Sequence, residues 1–472
     1  MNLKTRTSKD LTVGRLIPGI ILFALPLIAT GVLQLAFNAA DLIVVGQFSP
    51  NGKVDIGAIG GTAPLINLIV NLFMGLSVGT AVYVARYIGA KDDEKTSQTV
   101  HTSVAVSLIG GVICFFVGFI FADDLLMMMG TIDEYIELST LYMRIYFIGI
   151  PASLVYNFGA AILRAGGDTF HPLLFLTISG VANVILNLVM VLLFKKSVDG
   201  VAIASSVSQY IAALLVVFHL AFRVRGGCRL YFKKIRIHRP RLFEIMRIGI
   251  LAGVQGSLFS ISNVIIQSAV NSFKLPAIVT GSVASGSIEG FIYVAMNSFH
   301  HAALSFVGQH IGAGKPGKIG RITAHCIWMV TAVGVGLGLI AFFFGRPLLR
   351  LYVGGEADGT TETVLQYGMI RLSTIALTYF TCGIMDVFSG VLRGMGASLA
   401  PTLICLVGVC GVRILWIFTY FQSHHDFLVL FLSYPISWVL TLLAQFAYYL
   451  YLKRKVTAKY ARAVESEAPA NA

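Results

Sequence analysis

Charge is what this chain lacks most. Only 12% of its 472 residues are Asp, Glu, Lys or Arg, about half the share carried by an ordinary soluble domain. Cysteine is also sparse. The six, at positions 114, 228, 326, 382, 405 and 410, form no C-x-x-C pair and mostly sit in apolar stretches. That pattern excludes a disulfide framework and a cysteine-built zinc site. No nucleophile motif, phosphate-binding glycine loop or metal-spaced His/Cys set appears, which argues against an enzyme and implies no cofactor. What fills the chain instead is apolar: 56% of residues are hydrophobic and the mean hydropathy is +0.81. Crossing a bilayer takes about 20 such residues in succession, and the sequence offers that length many times over.

Twelve apolar runs are expected to span the membrane: 17–45, 57–84, 98–121, 136–160, 173–194, 200–222, 243–271, 278–306, 321–344, 363–391, 400–421 and 428–452. The fold class is therefore an all-α polytopic membrane protein. The basic N-terminus runs into an apolar stretch too long for a signal peptide, so that stretch is read as the first span. Pro26, Pro64 and Pro151 fall inside runs and interrupt the helical hydrogen-bond ladder.

The net charge of +13 is concentrated between the runs, above all from Arg223 to Arg241. A basic segment this short, flanked by spans, reads as a cytoplasmic loop facing anionic lipid and not as a nucleic-acid surface. Lys and Arg favour the same side at both termini and after every even-numbered run. Both ends are thus expected in the cytoplasm, in a cytoplasmic (inner) membrane.

One phrase occurs twice. Leu163-Arg164 leads through Gly167 to Pro172, and Leu392-Arg393 leads through Gly396 to Pro401, both as L-R-x-x-G-x-x-x-x-P. A cation at a helix C-terminus, a glycine able to take a left-handed cap and a proline in the next helix's first turn describe a tight interhelical turn. Its duplication half a chain apart predicts two six-helix lobes, 1–222 and 243–472, joined by a basic linker at 223–242. Six spans per lobe relate the lobes by an axis along the membrane normal, with a cavity between them.

Three acids lie well inside runs: Asp41, Glu289 and Asp386. Charge at a helix centre costs about 2.5–3.5 kcal/mol on insertion scales, so an intramembrane acid calls for a partner, a proton or water. Gln34, Asn38 and Asp41 share one face of the first run, and Asn183 and Asn187 one face of the fifth, with Ser205 on the sixth. Amides and hydroxyls around one carboxylate suit a proton or a small hard cation. Asn263 and Gln267 continue this pattern in the seventh run. Asn157 and Asp386 are counterparts, each seven residues before the repeated Arg. Such polar stripes read as a cavity wall, and amide-mediated helix packing is the alternative.

With these residues in hand, the chain resembles the multidrug and toxic compound extrusion (MATE) family of secondary transporters. The likeness rests on Pro26 with the DLIVVG stretch from Asp41 to Gly46, on GQHIGAGK from Gly308 to Lys315, and on the paired turns. GVRILW from Gly411 and YPISW from Tyr434 add to it. The resemblance implies two six-helix lobes and export of amphipathic, often cationic, drugs or metabolites by alternating access, in exchange for H⁺ or Na⁺. It implies that Asp41 matches the first-helix coupling carboxylate and Asn183 a fifth-helix amide near it; Asn38, Asn187 and Ser205 are the other candidate coupling residues from the polar faces above. Some members carry an acid at the place of Asn187, and others one in the seventh helix, where this run has none. Gln34, Asn157, Asn263, Gln267, Glu289 and Asp386 are the candidate substrate cavity, the expected partner is a small molecule, organic cations first, and the protein is expected to be a monomer. A lipid-linked oligosaccharide flippase of the same wider superfamily is the alternative, with a membrane scaffold as a third reading.

Overall fold

The computed structural model describes residues 10–49, 52–129, 133–353 and 359–467. These residues are almost wholly helical, with no strand among them. Inside a bilayer, a helix satisfies every backbone N–H and C=O within its own segment, so the apolar runs become helices. The first half contains α1 (Leu16–Phe48), α2 (Gly52–Gly89), α3 (Asp93–Ile120), the short α4 (Ala122–Met128), α5 (Asp133–Ala165), α6 (Phe170–Leu188) and α7 (Val198–Phe218). Single π turns, Val189–Leu193 and His219–Arg223, continue α6 and α7. The second half contains α8 (Arg239–Asn271), α9 (Pro276–Gly312), α10 (Ile319–Phe343), the short α11 (Gly345–Val353), α12 (Gly359–Ala376) and α13 (Tyr379–Gly394). It closes with α14 (Leu399–Cys405), α15 (Val412–Phe418), α16 (Tyr420–Ser423) and α17 (Phe427–Glu467).

Eleven helical segments among the described residues are long and apolar enough to cross a membrane singly, and α12 with α13 makes a twelfth as a pair bent by 42°. The bend falls where hydroxyls take up backbone carbonyls. Thr378 Oγ1 donates to Thr374 O at 2.7 Å, and Thr381 Oγ1 to Thr378 O at 2.7 Å. Such back-bonding competes with the helix ladder and bends it.

The chain divides into two compact units, one of Met1–Leu11 with Ala29–Ser257, the other of Thr12–Ile28 with Leu258–Ala472. The divisions fall just before α1, within α1 and within α8. In the first unit α5 packs against α2, α3 and α7. There α8 crosses α2 at Gly75, Gly79, Gly249 and Gly253, where a Cβ on Gly75 would overlap the Gly253 backbone. Small residues four apart on both helices let the backbones touch. In the second unit α9 packs against α12 and α13, and α13 also meets α10 and α17.

The repeated phrase folds the same way twice. Gly167 and Gly396 have φ of 83° and 92°. Gly167 N donates to Arg164 O at 2.9 Å and Asp168 N to Leu163 O at 2.9 Å. In the second copy Gly396 N donates to Arg393 O at 2.8 Å and Ala397 N to Leu392 O at 3.0 Å. This is the 6→1, 5→2 pairing that closes a helix on a left-handed glycine.

Candidate functional site

Helix α1 brings Gln34, Asn38 and Asp41 to the wall of a cavity of about 380 Å³ within the first unit. Asn157 from α5, Asn183 from α6 and Ser205 from α7 line the same space. Asn187, one turn beyond Asn183, donates its Nδ2 to Asp41 Oδ1 at 2.5 Å. The same amide nitrogen lies 3.4 Å from Asn183 Oδ1, and Asn183 Nδ2 lies 3.4 Å from Ser205 Oγ. A polar relay therefore runs from α1 through α6 to α7. Asn183, Asn187 and Ser205 are each buried, so these groups have protein partners in place of bulk water.

The electrostatics are lopsided. Asp41 is the one carboxylate among the cavity's lining residues, and no Lys or Arg lines it. Its hydrogen bonds come from neutral donors, which orient the carboxylate without balancing its charge. A partly buried carboxylate with no basic side chain beside it favours a proton or a cation as its counter-charge. Aromatic faces stand nearby: Phe37 from α1 and Tyr142 and Tyr146 from α5 also line the space, and aromatic rings attract organic cations. Gly180 makes the approach of α1 possible, since a Cβ there would overlap the Phe37 ring.

Sequence reading did not single out Tyr142, Tyr146, Thr62 or Gln209, all part of this wall. A signal existed in the four-residue spacing of the two tyrosines and of Ser205 with Gln209. It was masked because Tyr is common in membrane helices for other reasons.

Four other candidates do not join this cavity. Asn263, Gln267, Glu289 and Asp386 belong to the second unit. Gln267 Nε2 donates to Asn271 Oδ1 at 3.1 Å, along its own helix. Glu289 is not a free carboxylate awaiting a cation. Arg371 grips it bidentately, Nη2 to Oε2 at 2.8 Å and Nε to Oε1 at 2.9 Å, while Arg371 Nη1 donates to Ser282 Oγ at 2.7 Å. The guanidinium also lies 4.8 Å from the centre of the Phe431 ring. Asp386 is partly buried: Asn297 Nδ2 lies 3.5 Å from its Oδ2, and its backbone carbonyl is 2.8 Å from His300 Nδ1.

A family model described as MatE matches residues 26–189 and again 252–419, once in each half. The chain belongs to the MatE family. This MatE chain is 27% identical to the probable multidrug resistance protein YoeA of Bacillus subtilis (strain 168), over 92% of its own length and 93% of that protein's. It is likewise 27% identical to the probable multidrug resistance protein YpnP of the same organism, over 86% and 88%. Among solved structures it is similar to a crystal structure of MATE in complex with MaL6, at a TM-score of 0.87 and 20% identity, covering 96% of this chain and 99% of that one. That last likeness speaks for the fold. The MatE chain is thus a multi-pass membrane transporter, not an enzyme.

Proposed function

We propose that this MatE chain is a secondary antiporter that exports amphipathic, mostly cationic, small molecules in exchange for H⁺ or Na⁺. The observation that carries the reading is Asp41, a lone carboxylate in an aromatic-lined cavity, bonded to neutral groups and facing no cation. A group so placed binds either the coupling ion or a cationic guest, and competition between the two is what links opposed fluxes. Multidrug resistance is also what the names of YoeA and YpnP state of those proteins. Loading Asp41 with a proton or a sodium ion discharges it. Helix α1, which carries Pro26 within it, then repacks, shrinks the cavity and expels the guest. Asn187, Asn183 and Ser205 orient the carboxylate in its charged form and supply oxygens when a cation is bound.

The charge bias of the loops puts both termini and the Arg223–Arg241 segment in the cytoplasm of a cell that carries this protein in its plasma membrane. The test is uptake of a fluorescent organic cation into inside-out vesicles under separately imposed pH and Na⁺ gradients. Uphill movement with one gradient and not without it is expected. Dye movement indifferent to both gradients would overturn the antiport reading.

A further inference from the structure

A second group of side chains converges away from the cavity, at the turn between α5 and α6. Asp168 lies in that turn, His171 in the first turn of α6, and His219 arrives from the end of α7. Asp168 Oδ2 is 2.6 Å from His171 Nδ1 and 3.9 Å from His219 Nε2. The three ligand atoms all lie within 4.8 Å of one another, and the two imidazole centroids are 4.1 Å apart. Their side-chain exposures of 29% for Asp168, 40% for His171 and 12% for His219 leave the group reachable from water.

The turn does not need these residues in order to close. Its second copy has the same backbone hydrogen bonds and the same positive φ, yet carries Ala397 where Asp168 stands and Ala400 where His171 stands. Helix capping explains part of Asp168, because its Oδ1 accepts the His171 backbone N–H at 3.2 Å. It leaves Oδ2 unexplained, and it gives no reason for a second imidazole from another helix to meet that oxygen.

We propose that Asp168, His171 and His219 form a binding site for a divalent transition-metal cation, with Zn²⁺ as its representative. Two imidazoles and one carboxylate are a zinc donor set, and a fourth tetrahedral position stays open to water. Imidazole donors disfavour Mg²⁺ and Ca²⁺, which take oxygen ligands. Zinc–ligand bonds of about 2.0–2.1 Å place tetrahedral donor atoms roughly 3.3 Å apart. The 2.6 Å pair therefore opens and the 3.9 Å pair closes, each by less than about 1 Å. Arg223, on the same π turn as His219, is the charge that opposes a bound cation.

An ion held here ties the start of α6 to the end of α7. Those helices carry Asn183, Asn187 and Ser205, so the ion restrains two walls of the Asp41 cavity and slows transport. This consequence rests on the transport reading above; the metal site itself does not. Purified full-length protein in detergent, where both faces are accessible, is titrated with Zn²⁺ by calorimetry and with Co²⁺ by visible absorption. One Zn²⁺ per chain and intense Co²⁺ d–d bands are expected. His171→Ala and His219→Ala should weaken binding by more than the roughly 10–100-fold that losing a supporting outer-shell group costs. His219→Cys should retain it, because a thiolate is also a zinc ligand, and it keeps the site testable if an alanine variant misfolds. A paired change of the surface histidines, His424→Ala with His425→Ala, should leave binding intact. Absence of zinc binding by the native chain, unchanged affinity in His219→Ala, or loss confined to the 424/425 pair would each overturn the site. In vesicles, zinc should slow dye transport by the native chain and not by His219→Ala; equal slowing of both would overturn the link to the cavity.

Discussion

Glu289 and Arg371 form a bidentate pair in the second unit, with both side chains largely buried. Removing one member strands the other without a counter-charge, which costs about 3–5 kcal/mol at a buried site. Glu289→Gln should accordingly lower the thermal stability of the purified protein, and Glu289→Gln combined with Arg371→Met should recover much of the loss. If the single variant melts like the native protein but transports cations poorly, Glu289 belongs to the cargo path and not to the packing of its unit. These residues also show what sequence can and cannot disclose. The grouping of Gln34, Asn38, Asp41, Asn183 and Asn187 was legible, because spacings of three and four put amides on one helical face. The pairing of Glu289 with Arg371 was not: the two are 82 positions apart, and no periodicity connects side chains on different helices. The convergence of His219 on Asp168 was hidden for the same reason.

Two kinds of glycine shape the helices. Gly167 and Gly396 adopt positive φ in equivalent turns, a conformation that costs a residue with a Cβ roughly 1–2 kcal/mol. Gly167→Ala and Gly396→Ala should therefore reduce the yield of folded protein to a similar degree, as read by monodisperse recovery in detergent. A large loss for one and none for the other would show that the two turns are not equivalent. Gly253 has another task, letting α8 lie directly on α2. Gly253→Val forces backbones apart and should destabilise the protein by about 1–3 kcal/mol or more, as overpacking does, visible as a lower melting temperature. An unchanged melt would mean the crossing tolerates separation. The turns were readable because their punctuation is local and repeated. The 42° bend between α12 and α13 was not, since hydroxyl bonds to backbone carbonyls depend on rotamers that a continuous apolar run conceals.

For the whole molecule, topology and flux are the quantities that matter. Composition alone disclosed a polytopic helical protein, because lipid leaves few other solutions for such a chain. The proposed side of each loop rests on the Lys and Arg counts. The basic segment is anchored to α3, with Gly227 N donating to Asp93 Oδ1 and Tyr231 N to His101 Nε2, both at 3.0 Å, while Lys233 points outward. A cysteine at Lys233 should resist an impermeant thiol reagent in intact cells and react after permeabilisation; reaction in intact cells would invert the topology. In the proposed antiport the opposed fluxes meet at Asp41, and its replacement by Asn keeps the size and one acceptor oxygen while removing the titratable, cation-holding charge. The decisive measurement is gradient-driven transport of a cationic dye by reconstituted Asp41→Asn beside the native protein, at matched amounts of folded material. Asp41→Asn should show no uphill movement under either a pH or a Na⁺ gradient. Uphill transport at near the native rate would contradict the assignment of coupling to Asp41.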